Sequence, residues 1–389
     1  MGEAAAQKDR LLMARAYHAF GDISGMAKHC ILLGLFFVVF HSCRGDGHRM
    51  VPPAMKQDTV SRNEKNSAPV IRVMSYNVLR YGDGCQGPDK RLHQYLRRII
   101  RYVRPDMLGL LKVASVSDRA PAGFADSILS NALSGIENRH YEACPFTNKS
   151  EGKDINLLFY NSGIFGCAGM ETLVSDITDF NLYRLYDKRR IRGSDTALLY
   201  VVLLHTESGD KSKDRDRQLT ELADALHRRF QTLPDVLLLG DFNLRRTSEK
   251  GYAALTQTGD KTSRFCDPPF VPDKTISYPA DWEENPEPYS RFLTTSTRKE
   301  EDQPNDCGTG GGAKFWYDHI LLSPAVAEQR GRYAYVPGSF RVIGNDGGRI
   351  GHAVSSKKHP NRAVPEDVAE ALYQFSNKYP VMLELSPKD

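Results

Sequence analysis

Val236-Leu237-Leu238-Leu239-Gly240-Asp241-Phe242-Asn243 is the stretch that decides how this chain folds. Four consecutive apolar residues after Pro234 read as a short strand covered on both faces. The turn that follows brings Asp241 and Asn243 out at the sheet's edge. Upstream, residues 197–205 (ALLYVVLLH) form a second continuous apolar run, ended by His205. Between the two runs, Leu219, Leu222, Ala223 and Leu226 recur at helical spacing, which predicts a helix over 218–230. Further strands are expected at 70–78, 107–113, 154–160, 315–323 and 379–385. A second helix is expected over 89–103. There Leu92, Tyr95, Leu96, Ile99, Ile100 and Val103 share one face, and Arg91, Arg97, Arg98 and Arg101 take the others. Pro105 ends it. Residues 257–312 are loop-rich in Pro and Gly. Strands and helices mix without strict alternation or internal repeat, the pattern of a layered α/β protein.

The 389 residues are enough for a large core, and the formal charge of +4 does not call for a nucleic-acid partner, although it allows one. The N-terminus reads differently from the body. Ile31-Leu32-Leu33-Gly34-Leu35-Phe36-Phe37-Val38-Val39-Phe40 is apolar but short for a bilayer span, since a helix needs about 20 residues to cross. Lys28 and His29 precede it and Ser42-Cys43 follow, the layout of a secretory signal. The Ser-Cys ending resembles a bacterial lipoprotein cleavage site, with Cys43 as the lipidated residue. Residues 1–43 are therefore expected to be an N-terminal extension and lipoprotein-type signal, and residues 44–69 a flexible tether. This places the protein in the cell envelope, facing the periplasm or the surface and anchored to the inner or outer membrane. No Cys-x-x-Cys occurs among the seven cysteines, so a structural zinc site is not expected, while disulfides fit an oxidising envelope.

Five segments carry a further resemblance. They are Ser75-Tyr76-Asn77-Val78, Pro105-Asp106-Met107-Leu108-Gly109-Leu110-Leu111-Lys112-Val113, Gly240-Asp241-Phe242-Asn243, Tyr317-Asp318-His319-Ile320-Leu321 and Ser376-Asn377-Lys378-Tyr379-Pro380-Val381. In this order they resemble the motif series of the endonuclease/exonuclease/phosphatase superfamily, of the exonuclease III and deoxyribonuclease I type. The resemblance implies a four-layer α/β sandwich over residues 70–386, with two packed mixed β-sheets flanked by helices. It implies a metal-dependent phosphoesterase using magnesium or manganese. Asn77 and Asp241 would hold the metal. Asp241 would orient or deprotonate the attacking water, Asn243 would contact the phosphate, and Asp318 would orient a catalytic His. His205 stands near the family's Asn-Thr-His-Leu pattern, without its Asn. His319, pointing to the opposite face from Asp318, reads as packing.

Three positions depart from that pattern. Lys112 stands where the family carries a metal-binding Glu, and Asn377-Lys378 stand where it carries Asp-His. A protonated Lys cannot ligate a cation and repels it. Lys378, at a reference pKa of about 10.4, is a poor proton shuttle. Two readings follow. In one, Lys112, Asn77, Asn377 and Lys378 bind a phosphate ester or other anion without catalysis and with no metal. Lys378 then replaces the lost partner of Asp318. In the other, the protein is an active magnesium-dependent phosphodiesterase or nuclease whose ligands come from elsewhere, with His352 and His359 as spare candidates. The sequence leaves the substrate and the oligomeric state open.

Overall fold

A bulge in the strand that carries Lys112, and a second bulge beside it, shape the centre of this protein. The computed structural model describes residues 70–115, 121–191, 195–300 and 308–388. The expected signal, the tether and Cys43 lie outside those residues.

In chain order the strands are β1 (Ile71–Tyr81), β2 (Met107–Ala114), β3 (Tyr141–Ala143), β4 (Asp154–Asn161), β5 (Phe165–Ser175), β6 (Asp179–Asp187), β7 (Leu198–His205), β8 (Val236–Asp241), β9 (Asp318–Leu322), β10 (Tyr333–Tyr335), β11 (Arg341–Val342) and β12 (Val381–Pro387). The helices are α1 (Asp89–Val103), α2 (Pro121–Ile128), α3 (Ser212–Arg229), α4 (Lys250–Thr256), α5 (Pro324–Ala327) and α6 (Glu366–Phe375). One sheet runs β10-β12-β1-β2-β4-β3, with β11 also on β12; the other runs β5-β6-β7-β8-β9. Both are mixed. β1 pairs parallel to β2 and antiparallel to β12, and β7 pairs parallel to β8 while β8 is antiparallel to β9.

The sheets pack closely because β2 carries Gly109 at the contact. A Cβ there would lie 2.6 Å from Leu203 Cδ2 and 3.6 Å from Leu239 Cδ2, both in the opposite sheet. Burial on both faces explains the unbroken apolar runs of β7 and β8, whose Val201, Val202, Leu203, Leu237, Leu238 and Leu239 are all fully buried. Helix α1 buries Leu92, Leu96, Ile99, Ile100 and Val103 and turns its arginines outward. Phe375, at the end of α6, meets Tyr76 and Tyr81 of β1 at ring distances of 5.5 and 5.1 Å. On the other sheet, Tyr200 of β7 meets Phe230 beyond α3 at 5.1 Å. The result is a two-sheet α/β sandwich with helices.

The structure adds elements that periodicity did not predict. The β5–β6 hairpin escaped notice because β5 is an edge strand with most of its residues partly or fully exposed, so its apolar signal is diluted. Helix α3 begins at Ser212 rather than 218, since its first turns are charged (Lys213, Asp214, Asp216, Arg217) around a buried Arg215. Arg215 pairs with Glu249 at 3.1 Å in the interior.

Candidate functional site

Pairing register brings three polar residues together. His205 at the end of β7 lies opposite Asp241 of β8, and Asp241 lies opposite Asp318 of β9. Paired residues in neighbouring strands share a face. Asn77 of β1 and Lys378, just before β12, approach Asp241 from the other sheet. All five are at least nine-tenths buried.

Both oxygens of Asp241 accept from protein donors. Its Oδ2 accepts from Asn77 Nδ2 at 2.8 Å and faces the Lys378 ammonium at 3.0 Å; its Oδ1 accepts the Asn243 N–H at 3.0 Å. Burial alone would push this carboxyl up, but the Lys378 charge and the Asn77 hydrogen bond win and hold it at about 2. Asn77 Oδ1 is itself taken by the Leu79 N–H at 2.9 Å. The Lys378 ammonium also sits 4.5 Å from the centre of the Tyr317 ring, a cation–π contact. Asn243 adopts the left-handed conformation, φ 49°, and its Nδ2 donates to the Thr206 carbonyl at 2.9 Å.

Asp318 corrects one expectation. Lys378 does not take the place of its missing partner, because the ammonium goes to Asp241 instead. Neither Asp318 oxygen is hydrogen-bonded among the described residues. Burial first, and the neighbouring Asp241 charge second, push the carboxyl well above the usual carboxylate range, against the opposing Lys378 charge and the Thr294 hydroxyl. His205 is pushed the other way: burial, opposed by Asp241, lowers it to about 3, so the ring is neutral at physiological pH. Its Nδ1 has no partner among the described residues.

Lys112 sits at the β2 bulge, where the register to β4 slips between Leu110 and Val113. Its φ is 58°, a left-handed conformation that costs a non-glycine residue about 1 kcal/mol or more. Its N–H donates to Asn156 Oδ1 at 3.2 Å. Arg80, also left-handed at φ 59°, lies in the neighbouring bulge of β1 and pairs with Asp154 at 3.1 Å and Asp83 at 3.3 Å. Burial lowers the Lys112 pKa; Asp154 and Asp241 pull it up, and Lys378 and Arg80 push it down. Its ammonium, half-buried, makes no hydrogen bond or ion pair among the described residues. Sequence reasoning missed Arg80 and Asp154. The only signal was their position at strand ends beside the motifs, and that does not distinguish them from ordinary surface charges.

The remaining expected residues divide. Asn377 is buried beside the cluster, donates through Nδ2 to Thr309 Oγ1 at 3.1 Å, and leaves Oδ1 unpaired among the described residues. His352 and His359 stack on each other at 3.7 Å, with Arg349 and Lys299 as the charged neighbours of His352, so these spare ligands are not brought to Asp241. His319 points away, bonding Asp267 at 2.9 Å and stacking on Trp316 at 4.5 Å. A magnesium or manganese ion needs free oxygen ligands. Asn77 Oδ1 and both Asp241 oxygens already accept protein donors, and the Lys378 ammonium stands against Asp241. The residues present do not fit the metal. Among the described residues, no three or more His, Cys, Asp or Glu side chains are grouped to hold one.

No protein-family profile matches this chain, and no curated protein does. Solved structures do match. TDP2 from Caenorhabditis elegans aligns at 17% identity over 84% of this chain and 78% of that one, with a TM-score of 0.51. The human Nocturnin catalytic domain with bound sulfate anion aligns at 13% identity over 82% and 94%, with a TM-score of 0.50. At such identities the likeness is one of fold. The chain has the α/β-sandwich fold of the endonuclease/exonuclease/phosphatase superfamily.

Proposed function

We propose that this protein is a non-hydrolytic member of a phosphoesterase fold, binding a phosphate ester or other anion at the Lys112–Lys378 cluster. The observation that carries this reading is the Asp241–Lys378 ion pair at 3.0 Å, buttressed by Asn77 at 2.8 Å. A general base works best with a pKa near the operating pH. A carboxylate held at about 2 and ion-paired to an ammonium is a poor acceptor for a proton from water. Asp318, whose carboxyl is pushed up by burial and by the Asp241 charge and whose oxygens have no hydrogen-bond partner among the described residues, supports the same reading. The anion preference rests on Lys112, whose ammonium makes no direct ion pair among the described residues and shares the pull of Asp154 with Arg80 and that of Asp241 with Lys378. The sulfate bound by the Nocturnin domain is consistent with an anion site on this fold.

The signal-like N-terminus and the Ser42-Cys43 pair support a lipid-anchored protein of the cell envelope. The disulfide-bonded state of Cys85 suits an oxidising compartment. Globomycin-sensitive processing and acyl labelling at Cys43 test the anchor; a mature protein that retains residues 26–42 refutes it.

Catalysis is tested with bis-p-nitrophenyl phosphate and plasmid DNA in magnesium or manganese, beside Asp241→Ala. The wild type is expected to be inert. Robust turnover that disappears in Asp241→Ala overturns the proposal. Binding is tested by calorimetry with inorganic phosphate, where Lys112→Met is expected to abolish the heat seen with wild type.

A further inference from the structure

Helix α1 carries charges of nearly one sign. Beyond Asp89 it holds no acid, and Arg91, Gln94, Arg98 and Arg101 recur every three or four residues as an exposed stripe. Helix α3 differs, because Asp214, Asp216, Glu221 and Asp224 alternate with its basic residues. Little neutralises the α1 stripe. Arg91 and Arg101 have no ion pair among the described residues. Arg98 meets Asp367 at 3.7 Å and Arg104 meets Glu137 at 3.4 Å, but these carboxylates are 60% and 71% exposed, so water screens both pairs. Arg97 donates to the Asn131 carbonyl at 2.8 Å and to Ser134 Oγ at 3.2 Å, neutral partners that leave its charge in place. Arg97, Arg98, Arg101 and Tyr102 line one side of a groove of about 510 Å³, and Pro365, Asp367 and Val368 at the start of α6 line the other. Tyr102 is exposed, and its hydroxyl donates to the Ala363 carbonyl at 3.1 Å, which holds the ring at the surface.

We propose that the arginine face of α1 docks this protein on a membrane surface through anionic phospholipid headgroups. Such attraction acts within about 10 Å in salt, so a local basic face counts for more than the net charge of +4. Arginines reach headgroup phosphates with paired N–H donors, and a tyrosine beside them suits the boundary between water and lipid. The chain also enters the domain at this end. Arg72, at the start of β1, donates to the Val103 carbonyl at the end of α1 at 3.2 Å, and the sequence that leads into β1 carries the apolar run at 31–40. That run favours a membrane over a nucleic acid as the partner. The dock has a consequence for the anion cluster. Strands β1 and β2 are parallel and α1 returns the chain between them, so Asn77 lies at the far end of β1, about 17 Å from Arg72. A domain docked by the Arg101–Arg104 end presents the cluster to the aqueous side, whatever ligand it takes.

The test mixes the full-length protein with vesicles of phosphatidylcholine alone or in equal parts with phosphatidylglycerol, and reads binding by sedimentation. An apolar run or an acyl chain inserts into either vesicle, so the difference between the two reads the basic face. The wild type is expected to bind the anionic vesicles about tenfold more tightly or better, with the difference shrinking in added salt. Arg91→Gln/Arg98→Gln/Arg101→Gln is expected to lose most of the difference, and Arg91→Lys/Arg98→Lys/Arg101→Lys to keep it. Circular dichroism reports folding. If the glutamine variant does not fold, hydrogen exchange on the wild type replaces it, with α1 expected to gain protection on the anionic vesicles only. Equal binding to both vesicles overturns the proposal. So does a difference that survives in the folded glutamine variant, or an α1 that gains no protection. A protein that shifts a DNA duplex through these arginines and ignores the anionic vesicles carries a nucleic-acid surface instead, which also overturns it.

Discussion

Replacing Lys378 with Met removes the ammonium that neutralises Asp241 and keeps the length of the side chain. Asp241 is 1% exposed and retains only the Asn77 and Asn243 hydrogen bonds. In the wild type its carboxyl is held at about 2, below the unfolded value of about 3.9. That difference corresponds to about 2 kcal/mol of stability, present above about pH 4 and lost as pH falls through about 2. In Lys378→Met the largest charge opposing burial is gone, leaving the Asn77 hydrogen bond against it, and the carboxyl rises. The charged form then becomes a cost, and breaking a buried pair in this way typically costs about 3–5 kcal/mol. The cost is relieved by protonation. Urea-unfolding midpoints should therefore show a loss of about 3–5 kcal/mol at about pH 7, shrinking markedly by about pH 4, with an unchanged slope. The double variant Asp241→Asn/Lys378→Met should recover most of the loss at neutral pH. A loss below about 1 kcal/mol, or one that does not change with pH, would refute the assignment of Lys378 as the counter-charge of Asp241.

Three further outcomes follow from the same cluster and its surroundings. Asp318 has a folded pKa above its unfolded one, so its contribution is favourable at low pH and is lost as pH rises; Asp318→Asn should leave the protein equally or more stable at neutral pH, and a clear loss in thermal unfolding would contradict a buried carboxyl pushed upward. His205, lowered to about 3, should show no imidazole titration by NMR across the neutral range, and a midpoint near the ordinary value would show that the ring is solvated or paired. Gly109→Ala places a methyl group 2.6 Å from Leu203 Cδ2, and the overpacking should cost about 1–3 kcal/mol; a neutral result in chemical denaturation would mean that the sheets are less closely apposed than described.

Much of the architecture was legible from the residues. The apolar runs ending at His205 and Asp241 became the paired strands β7 and β8, and the helix expected over 89–103 became α1 with those bounds. Long apolar periods are strong signals because burial on both faces, or along one stripe, leaves few alternatives. The edge hairpin β5–β6 and the start of α3 were not legible. Edge strands and charged helix ends satisfy their backbones without an apolar pattern, so nothing in the local sequence marks them.

What the sequence determined by itself is the identity of the groups available to the site. Lys112, Asn377 and Lys378 supply two ammonium groups and an amide, whatever the chain does in space. What the tertiary structure decided is which group meets which. Lys378 lies far from both Asp241 and Asp318 along the chain, and only the pairing of β8 with β9 and the approach of the first sheet give the ammonium to Asp241 and leave the Asp318 carboxyl without an ion pair. The Arg80–Asp154 pair beside the Lys112 bulge is likewise a contact between distant segments. Ion pairing depends steeply on distance in a low-dielectric interior, and distance between remote residues is a property of the packed chain, not of its order.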